Sequence, residues 1–108
     1  HISVLDLRWL RPLDDDLIDE VVRSSGGRVI VAHEANLTGG FGAEVAARIG
    51  ERHFGALSAP VKRVATPDVR IPAAPSLQAA VIPGVGTLID AALSLLDQSG
   101  APVVANQR

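Results

Sequence analysis

The residues of this 108-residue chain that could do chemistry gather in one stretch, His33-Glu34-Ala35-Asn36-Leu37-Thr38-Gly39-Gly40-Phe41-Gly42. A histidine titrates near neutral pH, and a carboxylate beside it could orient it or share its proton work. His33-Glu34 opens like a zinc-protease signature, but that chemistry needs a second histidine four residues later on the same helical face. Position 37 is Leu37, and His1 and His53 stand at no metal-ligand spacing from His33. His33 therefore reads as a polar group hydrogen-bonded at a sheet edge or interface, or as a general base.

The turn Gly39-Gly40-Phe41-Gly42 could cradle an anion, because glycine-lined amides at a helix N-terminus point at negative charge. Gly40 and Gly42 match the first two glycines of a dinucleotide fingerprint, yet Val45 stands where a small third residue is required. Glycines that permit positive φ and close packing of strand on helix account for the same pattern without a ligand. Glu34 and Asp68 each follow an expected strand, so both carboxylates can share one sheet edge, which suits acid-base work, an ion pair or solvation. Asp14-Asp15-Asp16 invites a metal reading, but a helix cap and first-turn negative charge explain the run fully. Serines 3, 24, 25, 58, 76, 94 and 99 occur in no nucleophile-elbow context.

Composition narrows the classes further. A net charge of -2 and the absence of basic runs give nothing to attract nucleic acid or an anionic membrane. Only Trp9, Phe41 and Phe54 are aromatic, too few for a base-stacking platform. The lack of cysteine removes disulfides and thiolate sites and agrees with a reducing compartment, so a cytoplasmic location is expected. No apolar run is expected to reach the ~20 residues of a membrane helix.

The elements that must position the stretch are set by periodicity. Residues 2–7 are aliphatic with near-alternation and predict a strand; Pro12 bars an earlier helix start. Leu17-Ile18 and Val21-Val22, spaced by four, predict a helix that Gly26-Gly27 stop. Residues 28–32 predict a buried parallel strand ending at the His-Glu pair. Phe41, Val45 and Ile49 mark the buried face of the next helix, with Phe54 and Leu57 extending it to Ser58-Ala59-Pro60. Residues 61–65 predict a shorter strand. Pro67, Pro72, Pro75 and Pro83 make the next stretch of chain an extended crossing with at most a helical turn over residues 76–80. Val85, Leu88, Ile89, Ala92, Leu95 and Leu96 then predict a helix with one buried face. The sum is an α/β fold, a mainly parallel sheet with helices on both faces, in one domain over residues 1–97 with a tail over 98–108.

Several motifs together carry a resemblance. Val4-Leu5-Asp6-Leu7-Arg8 with Leu10-x-Pro12-Leu13-Asp14, then His33-Glu34-Ala35 with the run from Leu37 to Glu44, resembles the C-terminal domain of E1 β subunits of 2-oxo acid dehydrogenases. Ala59-Pro60-Val61-Lys62-Arg63-Val64 and Pro67-Asp68-x-x-Ile71-Pro72 are similar to the same family in the same order. The resemblance implies a transketolase C-terminal-type domain in an enzyme that decarboxylates a 2-oxo acid with thiamine diphosphate and Mg and acylates the lipoyl group of E2. It implies that the activating glutamate and most cofactor contacts lie in the other β-subunit domain and the α subunit. On that basis this chain carries no catalytic, cofactor-binding or metal residue.

The implied role is assembly with an E1 α subunit, a second E1 β subunit and the E2 acyltransferase, and His33, Glu34, Thr38, Gly39, Gly40, Phe41 and Gly42 are the expected interface elements. Relatives carry a further strand and helix ahead of residues 2–7, so the resemblance implies a sheet lacking a member, whose exposed edges favour association with another chain. The competing reading is a small phosphate- or nucleotide-binding α/β domain using the glycine turn. Among substrates handled by relatives (pyruvate, branched-chain 2-oxo acids and acetoin), a branched-chain acid is the preferred expectation.

Overall fold

The computed structural model describes residues 1–97, and the tail expected over 98–108 lies outside them. Helix α1 spans Asp15–Ser24. Asp14 caps it, its Oδ1 accepting from Leu17 N at 3.0 Å, so the acidic run serves the helix terminus. Gly26 and Gly27 come next in the left-handed region, with φ of 69° and 74°. Gly27 also packs so closely on the backbone at Ala56 and Ser58 that a Cβ there would collide with the Ala56 carbonyl.

Strand β1 covers Ile30–Asn36 and β2 covers Lys62–Thr66, paired in parallel with Ile30 opposite Lys62 and Ala32 opposite Val64. Helix α2, Phe41–His53, connects them; α3, Pro75–Val81, and α4, Val85–Asp97, come after β2. The core is formed by Ile18 and Val22 of α1 with Val45 and Ile49 of α2, joined by Val29, Val31, Leu57 and Val61. Matching ion pairs one helical turn apart, Arg48 with Asp15 and Arg52 with Asp19, each at 2.5 Å, show that α1 and α2 run in the same direction side by side. Buried Ala91 and Leu95 of α4 and Val64 of β2 mark the other face of the sheet.

Several expectations need correction. Residues 2–7 form no strand: Leu5 and Leu7 pack against the core while Ile2 and Val4 stand 73% and 90% exposed, so the alternation is realised without a hydrogen-bonded ladder. A strand needs a neighbour at ~4.8 Å, and the two-stranded sheet of β1 and β2 does not reach this segment. Strand β1 starts two residues later than expected and runs through His33 and Glu34 to Asn36. Helix α2 stops at His53, leaving Phe54 87% exposed as its C-cap, because the chain turns there to bring Leu57 back to the core.

In α4 the buried residues are Ala91 and Leu95, whereas Val85, Leu88, Ile89 and Leu96 remain exposed. Apolar periodicity marks a face that can be covered, and the described residues cover only the strip that meets the sheet. The stretch Pro75–Asp97 is also long and apolar enough to cross a membrane by length and composition, 23 residues at mean hydropathy 1.8, contrary to expectation. It is two helices, because Ile82 leaves the helical region with ψ 136° just before Pro83.

Candidate functional site

The chemistry-bearing stretch lies where β1 turns into α2, at the carboxyl end of the parallel strands. Between Ala32 and Asn36 the register slips against β2, from Ala32 opposite Val64 to Asn36 opposite Thr66. The slip leaves residues 33–35 without regular partners and re-aims their side chains. Thr66, fully buried, closes the ladder: its Oγ1 donates to Glu34 O at 2.6 Å and its carbonyl accepts from Leu37 N at 2.8 Å.

Beyond the strand the loop is tied down from β2's side. Asn36 Nδ2 donates to the carbonyls of Pro67 and Val69, at 2.8 and 3.1 Å, and Arg63 donates to Leu37 O at 2.8 Å. Asp68 accepts from Thr38 N at 2.9 Å and from Thr38 Oγ1 at 2.5 Å. Those two Thr38 donors, the hydroxyl first, hold the Asp68 carboxyl below its ordinary range, with Arg63 adding to the effect. Asp68 is thus a loop clamp, a role outside the acid-base, ion-pair and solvation readings that the sequence offered for it.

Gly39 comes next at φ 72°, a conformation suited to glycine, and Gly40 takes the N-cap of α2 without a side-chain cap. His33 lies directly beneath this turn. A Cβ at Gly40 would stand 2.7 Å from His33 Cε1, and one at Gly42 would overlap the Cδ2–Nε2 edge of the ring. The missing Cβ of Gly42 therefore makes room for the imidazole, while that of Gly40 makes room first for the Asn36 carbonyl and then for the ring. Both ring nitrogens of His33 are buried, with no hydrogen-bond partner among the described residues, and Glu34 is exposed. No hydrogen bond links this pair, so the geometry builds no base-orienter dyad from them.

Of the seven expected interface residues, His33 and Gly42 are packed inward, while Glu34, Thr38, Gly39 and Phe41 face solvent, Phe41 at 40% exposure. Gly40 is half-buried. The arrangement presents a short, multiply anchored loop; its rigidity comes from β2 and its compactness from the His33–glycine contact.

A second cluster escaped sequence reasoning. Asp19 and His53 are both buried between α1 and α2, with His53 Nε2 2.8 Å from Asp19 Oδ1. Arg52 donates through Nε at 2.9 Å and through its terminal nitrogen at 2.5 Å, and Arg23 stands 3.8 Å away. The Arg52 hydrogen bonds, then that of His53, hold the Asp19 carboxyl far below the ordinary carboxylate range. The available signal was the matched i, i+4 spacing of Asp15/Asp19 and Arg48/Arg52. Among the described residues no group of three or more His, Asp or Glu side chains could hold a metal ion.

The family described as "Transketolase, C-terminal domain" matches residues 1–88. The chain belongs to the transketolase C-terminal domain family. Named relatives agree with this assignment. The chain is similar to 2-oxoisovalerate dehydrogenase subunit beta 2, mitochondrial, of Arabidopsis thaliana, 47% identical over 65% of this chain and 19% of that protein. It is also similar to the 3-methyl-2-oxobutanoate dehydrogenase subunit beta of Mycobacterium tuberculosis, 40% identical over 90% of this chain and 27% of the relative. The pyruvate dehydrogenase E1 component subunit beta of Porphyra purpurea is 38% identical over 90% of this chain and 29% of its own length. The chain thus spans between about a fifth and under a third of these relatives, and the transketolase C-terminal domain here is related to E1 β subunits of 2-oxo acid dehydrogenases.

Proposed function

We propose that this transketolase C-terminal domain is the assembly and partner-docking domain of an E1 β subunit in a thiamine-diphosphate-dependent 2-oxo acid dehydrogenase. The observation that carries this reading is the loop from Leu37 to Phe41. It is exposed and apolar at its ends, and Asp68, Asn36 and Arg63 fix it in place, as an interface element requires. A preformed loop loses little entropy on docking, so its contacts go into affinity. The partners on this reading are the E1 α subunit, a second E1 β subunit and the E2 acyltransferase, and the substrate of the whole enzyme is a branched-chain 2-oxo acid.

The described residues supply no group of three or more His, Asp or Glu side chains that could hold Mg²⁺. Thiamine diphosphate and Mg belong, on this reading, to other parts of the assembly, and no reaction step is assigned to this chain.

Two measurements test the proposal. Calorimetric titration of the 108-residue chain with thiamine diphosphate and Mg²⁺ is expected to show no saturable binding at micromolar concentration; saturable heat would overturn it. In the family-length β subunit, Phe41→Asp is expected to weaken co-elution with the α subunit at unchanged far-ultraviolet circular dichroism. Unaltered assembly would remove the loop from the interface.

A further inference from the structure

Between Arg70 and Asp90 the sequence holds no charged residue, and α4 begins within that run. Buried Ala91 and Leu95 seat the helix on the sheet. Roughly a third of the way round it, at about 100° per residue, Val85, Ile89, Ala92 and Leu96 form a second apolar stripe. Val85 is 75% exposed, Ile89 53% and Leu96 58%, while Ala92 is half-buried. Thr87, Asp90, Ser94 and Asp97 hold the remaining arc. A continuous apolar face with its charges confined to the far side has the composition of an interface core.

The spacing of the stripe fits a second copy of the same helix. From Val85 its members are separated by four, three and four residues, a series that reads the same from either end. Two α4 helices laid antiparallel about a two-fold axis therefore place Val85 of one copy level with Leu96 of the other, and Ile89 level with the small Ala92. Charge supports the same alignment. Asp90 and Asp97 are the only charged residues of α4, and Gly84, whose carbonyl accepts from Leu88 N at 3.1 Å where the helix starts, has no side chain to cap the free amides that follow. Antiparallel pairing brings Asp97 of each copy level with Gly84 of the other, where the positive helix terminus favours a carboxylate. Parallel pairing would set each aspartate level with its own like. A lipid surface suits the stripe less, because the polar arc carries only negative charge where interfacial helices carry Lys and Arg.

We propose that this stripe of α4 is a two-fold interface whose occupant is the antiparallel α4 of a second copy of this chain. It gives the second β subunit of the reading above a face of its own, separate from the loop at Leu37. The proposal rests on that reading for the identity of the partner and on α4 alone for the geometry. Its test uses neither the α subunit nor thiamine diphosphate, so its failure is distinct from failure of that reading.

The chain has no cysteine, so disulfide trapping reads the alignment directly. Val85→Cys and Leu96→Cys variants of the 108-residue chain, one of them carrying a mass tag, are mixed at about 100 μM, a concentration suited to a small interface, and oxidised. The mixed product is expected to exceed either self-product by about tenfold or more. A disulfide needs Cα atoms within ~7 Å, whereas two copies of residue 85 lie about 16 Å apart along an antiparallel pair. Sedimentation equilibrium of the unmodified chain should give a dimer at the same concentration. Ile89→Lys, at an exposed position, should return it to monomer with unchanged far-ultraviolet circular dichroism. Self-products that match or exceed the mixed one would overturn the proposal, as would a monomer mass for the unmodified chain or a dimer that survives Ile89→Lys. Co-sedimentation of monomer with phosphatidylglycerol vesicles would overturn it too, by making lipid the occupant.

Discussion

Replacing Gly42 by alanine tests whether the glycine turn exists to house His33. Two effects of known size oppose each other. Alanine is favoured over glycine within a helix by up to about 1 kcal/mol, and Gly42 is the second residue of α2. Against that, the new Cβ would overlap the His33 ring and come within 3.3 Å of Val31 Cγ1. Forcing a methyl group into a packed site costs typically about 1–3 kcal/mol. The expected net change is a loss of roughly 0–3 kcal/mol, the difference of those two ranges.

The sign should reverse once the ring is gone. In a His33→Ala background the same substitution is expected to stabilise by up to about 1 kcal/mol, giving a coupling of roughly 1–3 kcal/mol between the two positions. Gly50→Ala serves as the reference, because a Cβ there meets nothing within 4 Å. Urea unfolding of the two single variants, the double variant and the reference gives the cycle directly. A coupling below about 0.5 kcal/mol, or stabilisation by Gly42→Ala equal to that of Gly50→Ala, would refute the reasoning.

Other outcomes rest on the same contacts. Gly27→Ala combines left-handed backbone with collision against the Ala56 carbonyl, and thermal unfolding should show a loss of about 2 kcal/mol or more, beyond the loss expected from positive φ alone. Asp19→Asn should flatten the acid limb of stability. A depressed carboxyl pKa contributes stability that is present above the unfolded value of about 4 and is lost as pH falls through the folded value. The wild-type urea midpoint should therefore drop more steeply than the variant's below about pH 4; equal slopes would remove Asp19 from the account. Asp68→Ala should speed exchange of the Thr38 amide while leaving that of core residue Val45 unchanged, because only the former is held by the carboxylate.

Much of the fold was legible in the residues. Asp14 and Gly26-Gly27 bracket α1 as their backbone preferences require, whereas Pro75–Val81 forms a seven-residue helix where the prolines suggested at most a turn over residues 76–80, because Pro75 falls in the first turn, where its missing N–H costs nothing. Val45 and Ile49 recur at helical spacing and are buried at that spacing. The candidate site was legible only in outline. The His-Glu pair and the glycines identified the place, but the contact between His33 and Gly42 joins residues on different elements. Nothing in their spacing says which ring packs on which backbone.

By itself the sequence determined what is local: caps, breakers, periodicity, and the family motifs spread along the chain. Tertiary structure alone decided the rest. The alternation in residues 2–7 is as strand-like as any in the chain, yet a ladder needs a neighbour and the sheet provides none. The apolar stripe of α4 and the ring of Phe54 read as core, yet burial depends on what lies opposite, and among the described residues little does. Asp68 could have been an acid, an ion-pair partner or a solvated carboxylate until the fold brought Thr38 to it across 30 residues of chain. Roles that depend on a partner distant in sequence are fixed only when the chain closes on itself.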